Sequence, residues 1–307
     1  MGCSASRLQK HVLCGAIVAT AALKAGPAWA AYTPNPVDFA TSVVSYNLNN
    51  ETLANYSDPT ALLGAPTVTF NDPYGNTSGD AKKYDNAKII EPPYYTDHVT
   101  GGPDLTEIPE STATATYSVT VQMGRPITND PSNPYGIDLI VYGNSFFVGK
   151  STANDSTNLH ADTITGVFGH PLVVSVSPDD VNWYTFPTTA DLLPYQAYQW
   201  DDTNQVSTSN LLNFNQPVDP AVAALALNKG YSTAAAVLDA YGTASGGTGY
   251  DIAASGFSSI DYVRVASSTT DYAVVDAIAA VGATPVPEPT TAGLICLGGL
   301  MLTRRRR

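Results

Sequence analysis

The chain has 307 residues, with 14 Lys+Arg against 27 Asp+Glu and a formal charge of −13. That acid excess excludes nucleic acid as a partner, because phosphate binding needs clustered cations. Its three cysteines, Cys3, Cys14 and Cys296, all lie near the two ends, so the interior must be held by a packed core without disulfides.

Arg7 and Lys10 open a short basic region, and His11 to Leu23 is largely apolar. Ala28-Trp29-Ala30 then supplies the small residues that signal peptidase needs, with cleavage expected near Ala30 to Tyr32. Residues 1–30 read as a secretory signal peptide. Met1-Gly2-Cys3-Ser4-Ala5-Ser6 also fits a myristoylation pattern, which has no role ahead of an export signal. Cys14 invites a lipoprotein assignment, but His11-Val12-Leu13 lacks the small residues that precede a lipidated cysteine.

Residues 31–284 read as one mainly β domain. Short β-branched or aromatic runs alternate with Asn, Asp, Pro and Gly, the pattern of a sandwich or jelly roll. The strand candidates are Thr41 to Tyr46, Thr67 to Phe70, Ala113 to Gln122, Ile137 to Tyr142, Leu172 to Ser177, Asn182 to Phe186, Ile260 to Ala266 and Val274 to Val281. Ala115, Tyr117, Val119 and Val121 alternate onto one face. Ile137 to Tyr142 is more continuously apolar and is expected to be a central strand. A helical insertion is expected over about 191–254, lying across one end of the sandwich where loops carry function. Within it, Asp219-Pro220 is a cap followed by proline at the first helical position, Gly230 closes that helix, and Ser232 starts a second that ends near Gly242.

The chain closes with Val286-Pro287-Glu288-Pro289-Thr290, an apolar run from Thr291 to Leu302, and Arg304, Arg305, Arg306 and Arg307. The apolar run is about a dozen residues, whereas a stable span needs roughly 20, so a tail held briefly and then cut off fits better than a permanent anchor. Removing both ends takes away seven of the cations and one of the carboxylates. The remaining seven cations and 26 carboxylates give the middle a charge of about −19.

Pro287, Glu288 and Pro289, the short apolar helix and the arginine end together resemble the PEP-CTERM sorting signal of exopolysaccharide-producing bacteria, over roughly residues 285–307. The resemblance implies processing by an exosortase in the membrane, a transient inner-membrane stage through the tail, and delivery to the cell surface, outer membrane or extracellular matrix.

A second resemblance rests on motifs in the middle of the chain. They are Leu63-Gly64-Ala65-Pro66-Thr67, Ile137 to Phe147, Ser175 to Tyr184, Pro217-Val218-Asp219-Pro220, Gly246 to Ile252, Tyr262-Val263-Arg264-Val265 and Asp276-Ala277-Ile278. In this order they are similar to an extracellular β-sandwich family of bacterial surface proteins. The resemblance implies a jelly roll similar in outline to discoidin-like and galactose-binding domains, and it supplies no characterised activity. Relatives often carry a charged residue after the central strand, where this chain has Gly143 before Asn144.

Ser177-Pro178-Asp179-Asp180 is expected to be the turn of a hairpin. Gly246-Gly247-Thr248-Gly249 lacks the context of a phosphate loop and is expected to be a flexible loop beside a core strand. Its functional alternative is a close approach to a sugar or ion, with Asp251 supplying a carboxylate.

Calcium, the one cofactor considered, wants several oxygen ligands. The candidates are Asp130 and Asp138 with Asn129 and Asn133, Asn154 with Asp155, Asp201 and Asp202 with Asn204, Asp251, and Asp276 with Asp271. None has EF-hand or repeat-in-toxin spacing, and Asp276 has a structural alternative in pairing with Arg264. Carbohydrate binding draws on Tyr195, Tyr198 and Trp200, with Tyr94 and Tyr95, as rings that can stack on sugars. Trp183 is assigned to the core.

An enzyme is not expected. Past the signal, only His98, His160 and His170 remain, with no zinc spacing, no Gly-x-Ser-x-Gly elbow and no cysteine nucleophile. The expected function is a structural or adhesive component of the cell surface or matrix, met during export by signal peptidase and exosortase. The rival is a module that binds extracellular polysaccharide; a polysaccharide hydrolase ranks behind both.

Overall fold

A computed structural model of the chain describes residues 32–48, 58–66, 106–149, 164–187, 189–191, 193–201, 206–227 and 234–282. Residues 1–31 and 283–307 lie outside the described residues, and with them the signal-cleavage pair Ala28 and Ala30, the Pro287-Glu288-Pro289 motif and Arg304 to Arg307. Thr67 to Phe70, Tyr94, Tyr95, His98, Asn154, Asp155, His160 and Asp202 lie outside them as well.

The described strands are β1 (Ala40–Asn47), β2 (Thr106–Ile108), β3 (Ser118–Thr128), β4 (Leu139–Gly143), β5 (Phe146–Gly149), β6 (Ile164–Phe168), β7 (Pro171–Ser177), β8 (Tyr184–Thr185), β9 (Thr189–Ala190), β10 (Tyr198–Asp201), β11 (Val206–Leu211), β12 (Thr248–Tyr250), β13 (Ser259–Ala266) and β14 (Ala273–Ala280). Between β11 and β12 run two helices, α1 (Pro220–Leu227) and α2 (Ala234–Tyr241). The fold is mainly β, and every named strand pair is antiparallel. No helix among the described residues is long and apolar enough to cross a membrane.

One sheet orders its strands β1-β3-β13-β7-β8, with β9 also paired to β7; the second orders them β12-β4-β14-β2. Strand alternation sends every second side chain inward. Val119 and Val121 of β3, Val174 and Val176 of β7 and Val263 and Val265 of β13 meet Leu139 and Val141 of β4 and Val275 and Ile278 of β14 in one core. All are almost fully buried, each contributing about 1.5–3 kcal/mol of apolar burial. This is a β-sandwich arrangement.

The central-strand expectation holds: β4 lies between β12 and β14 and is buried throughout. Its other face, Ile140 and Tyr142, joins Ala277 and Ala279 of β14 under a further layer made by Tyr195, Ala197 and Phe214. That layer belongs to the expected insertion. Its residues Tyr195, Ala197 and Phe214 cover the outer face of the second sheet, where apolar side chains need shielding, and its two helices pack with Ile164 of β6 in a separate cluster. The insertion stops before residue 254, because β12 pairs with β4 as a sheet strand.

The first helix starts as expected, with Asp219 Oδ1 accepting from Ala221 N at 2.8 Å. The second stops at Gly242, which takes a left-handed φ of 61°. β3 begins five residues later than expected, because Thr112 Oγ1 accepts from Thr114 N and Ala115 N and folds that stretch into its own turn. The Ser177–Asp180 turn does join β7 to β8. Asp179 Oδ1 accepts from Val181 N at 3.0 Å and Asn182 N at 2.8 Å, which keeps residues 181 and 182 out of the strand. Asn182 and Val181 together hold the Asp179 carboxyl down at about 2.

Trp183 is not a core residue. It is half-buried, its Nε1 donates to Asp180 O at 3.1 Å, and Arg264 lies 3.8 Å over its ring. Phe186 takes the core place, packed against Tyr184 and Tyr250.

Candidate functional site

The strand ends define two groups of turns. At the first, both borders of the domain come together. Arg125 of β3 donates through Nε to Asp38 Oδ1 at 2.6 Å and through Nη2 to Val281 O and Gly282 O at 3.0 and 2.7 Å. Asp38 is fully buried, so this guanidinium ties the segment entering β1 to the segment leaving β14. Tyr32 adds a hydroxyl bond to Asn215 Oδ1, and Asn215 Nδ2 donates to Ala280 O.

Three of the calcium candidates share this end. Asp138 is fully buried; its Oδ1 accepts from Asp130 N at 3.0 Å and Asn133 Nδ2 at 2.8 Å, and its Oδ2 from Ile252 N at 3.2 Å. Burial pushes its pKa up, while these three donors oppose the rise. Asp130 Oδ1 accepts from Ser132 Oγ and Ser132 N, which lowers its pKa. Asp251 Oδ1 accepts from Ala253 N and caps the turn after β12. Each carboxylate therefore has a backbone to fasten. Among the described residues no three His, Cys, Asp or Glu side chains gather in a metal-holding group.

The other candidates are dispersed. Asp276 lies on the outer face of the second sheet and accepts from Tyr195 OH at 2.7 Å, so it pairs neither with Arg264 of the first sheet nor with Asp271. Arg264 instead donates to Thr120 Oγ1. The side chains of Asp201 and Trp200 lie outside the described residues, although their backbones form part of β10.

Tyr195 cannot act as a sugar platform. It is 1% exposed, its ring meets Tyr142 edge-on at 5.3 Å, and its hydroxyl is spent on Asp276. Tyr198 is half-buried against the same cluster. The glycine run is also not a loose loop. A Cβ on Gly247 would sit 2.6 Å from Ile140 Cγ2, and one on Gly246 2.5 Å from Pro194 O. Its bare backbone approaches the chain's own side chains.

At the opposite end, the turns after β4, before β7 and between β13 and β14 enclose a cluster that sequence reasoning passed over. His170 is buried, and its Nδ1 lies 3.0 Å from Asp271 Oδ2. With a carboxylate as partner, Nδ1 is the donor. Nε2 is buried with no hydrogen-bond partner. Tyr272 covers the ring at 3.9 Å between centroids, and Phe168 meets it edge-on at 5.1 Å.

Beside it lies Asp191, whose backbone N donates to His170 O at 3.1 Å. Its Oδ2 accepts from Ser145 N at 3.2 Å and its Oδ1 from Thr248 Oγ1 at 3.0 Å. Burial raises the Asp191 pKa to about 6, against the opposing pull of Ser145, Thr248 and His170. Burial also raises Glu107, with His170 opposing. Two glycines make room: a Cβ on Gly143 would fall 2.2 Å from Asp191 Oδ2, and one on Gly169 2.0 Å from Asp191 O. The bareness of Gly143 after the central strand is thus answered by an acid from elsewhere. The available sequence signal was Asp191 itself, a lone carboxylate between Ala190 and Leu192-Leu193.

Such a site can hold and share protons; its inward-facing groups leave only Asp271, Tyr272 and Phe168 substantially exposed. Fold and site together define an antiparallel β-sandwich with a buried acid–histidine cluster at one end. No family model matches the chain, and neither a curated protein nor a solved structure is significantly similar to it.

Proposed function

We propose that the chain is an exported component of the cell surface or extracellular matrix with a structural or adhesive role. Signal peptidase removes residues 1–30 after Ala28-Trp29-Ala30, and an exosortase processes the tail at its Pro287-Glu288-Pro289 handle, with Arg304 to Arg307 holding the end at the inner membrane. The working part is the sandwich, in jelly-roll connection and without disulfides.

The observation that supports this most is the Arg125 clamp. It joins the segment entering β1 at Asp38 to the segment leaving β14 at Gly282, so removal of both ends would leave this tie in place. A structural role is preferred over recognition of extracellular polysaccharide because Tyr195 turns inward, leaving that reading to Tyr198 and Trp200 of the β10–β11 hairpin.

Intact-mass measurement of the surface-associated protein tests the proposal. The expected product lacks the leader and the basic end, and alanines at Pro287, Glu288 and Pro289 leave the full tail in the membrane fraction. Normal release of that triple variant sinks the sorting assignment. Specific retention of the folded domain on a glycan array would move the function to carbohydrate binding.

A further inference from the structure

The turns around His170 present an exposed corner of aromatic rings bordered by carboxylates. Phe168 and Tyr272 are large apolar side chains left in contact with water, 43% and 38% exposed. Both rest on the same buried imidazole. Tyr272 stacks on it at 3.9 Å with a tilt of 38°, and Phe168 meets it at 5.1 Å and 89°. Because one ring is nearly perpendicular to the imidazole and the other is not, the two exposed rings cannot be parallel. They form a corner held from behind by His170.

Two acids border this corner. Asp271 is fixed through both oxygens, Oδ2 to His170 Nδ1 and Oδ1 accepting from Tyr272 N at 2.9 Å, and each oxygen keeps a further lone pair. Glu107 of β2 stands opposite Val274 of β14, and strand alternation puts it on the same side of the sheet as Tyr272, two residues earlier. Glu107 is half-buried, and its carboxyl makes no hydrogen bond among the described residues. Burial, then Glu107 and Asp271, push the Tyr272 hydroxyl up, which agrees with both acids lying beside that ring. Countercharge is missing here: the cations of the described residues, Arg125 and Arg264, are engaged with Asp38 and with the Trp183 ring.

A compact organic cation fits this chemistry. An ammonium or guanidinium is attracted to ring faces by their quadrupole and to carboxylates by charge-assisted hydrogen bonds. A metal ion fits less well, since among the described residues no three ligating side chains gather. A sugar chain stacks on rings that share one plane, which these do not.

We propose that the Phe168–Tyr272 corner is a docking site for a lysine or arginine side chain of a partner protein, seated against the two rings and paired with Asp271 and Glu107. His170 is a positioning residue: it orients both rings and Asp271 without touching the cation. The assignment does not depend on how the chain is sorted.

Titration of the full chain with acetyl-Gly-Lys-Gly-amide and acetyl-Gly-Arg-Gly-amide, followed through the aromatic proton–carbon resonances of Phe168 and Tyr272, tests this without a variant. At least one peptide should give a saturable shift at both rings, lost when the lysine is acetylated or the arginine replaced by citrulline. Phe168→Ala and Tyr272→Ala leave the net charge unchanged and should each weaken binding roughly two- to fivefold, whereas diffuse attraction to an acidic surface would not respond. Glu107→Gln alters a carboxyl that bonds nothing else, and should weaken binding and reduce its salt dependence. Amide spectra of the variants check that the fold is kept. Absence of a saturable shift with either peptide, an equal shift with the uncharged peptides, or unchanged affinity in both folded ring variants overturns the proposal. A stronger response to a glucosamine trimer overturns it as well, by moving the site to polysaccharide.

Discussion

Replacing Asp138 by alanine separates a structural tie from a calcium ligand. In the folded domain this carboxylate holds Asp130 N, Asn133 Nδ2 and Ile252 N, and so pins the turn before β4 to the turn after β12. Hydrogen bonds to a charged group contribute about 1.5–3 kcal/mol each, and deletion leaves donors that were buried without their acceptor. Partial solvation of the 129–133 turn discounts the total, leaving a loss of about 4 kcal/mol. For a domain of this size that lowers the melting temperature by roughly 8–16 °C. Thermal melts of wild type and Asp138→Ala should be run with excess calcium and again with chelator. A structural tie gives the same gap in both buffers. If chelator alone drops the wild type to the level of the variant, Asp138 acts through a bound cation, and the accounting above is refuted.

Arg125→Ala should cost about 2–3 kcal/mol in denaturant unfolding, the low end for breaking an ion pair with a buried member, because the guanidinium is one-quarter exposed. Arg125→Lys should recover only part of this, since a single ammonium cannot match the fork that spans Asp38, Val281 and Gly282; full recovery would contradict the clamp. Gly247→Ala should destabilise by more than about 2 kcal/mol, because φ is +82° and the new Cβ meets Ile140 and the Tyr142 ring. Gly242→Ala, with φ +61° and open space, should cost only about 1 kcal/mol, and a reversal of that order would count against the packing described. Trp183→Ala should change stability by less than about 1 kcal/mol and Phe186→Ala by about 3–5 kcal/mol, both read from urea midpoints. The opposite ranking would return Trp183 to the core.

Much of the β framework was legible because strand signals are local. Val119 and Val121 alternate with polar neighbours, and Ile137 to Tyr142 is apolar on both faces, which a strand needs when layers cover it on both sides. Asp219-Pro220 identified a helix start for the same reason, since cap and capped amide are neighbours in the chain. Boundaries slipped where a side chain competed with the ladder, as Thr112 does before β3 and Asp179 before β8. Tyr195 and Trp183 were exchanged between surface and core because a ring in a loop and a ring beside a strand give no sign of what covers them.

The sequence by itself determined the acid balance and the succession of most strands and turns, which depend on neighbouring residues or on composition. Only the tertiary structure decided what the individual carboxylates do. Asp191 finds Ser145 and Thr248 at separations of 46 and 57 residues, and Asp138 reaches Ile252 across 114. Such partners are chosen by sheet order and by where a glycine leaves room, and neither is encoded in the residues beside the acid. A buried carboxylate must meet donors wherever the fold brings them, so its role follows from packing and not from its local sequence.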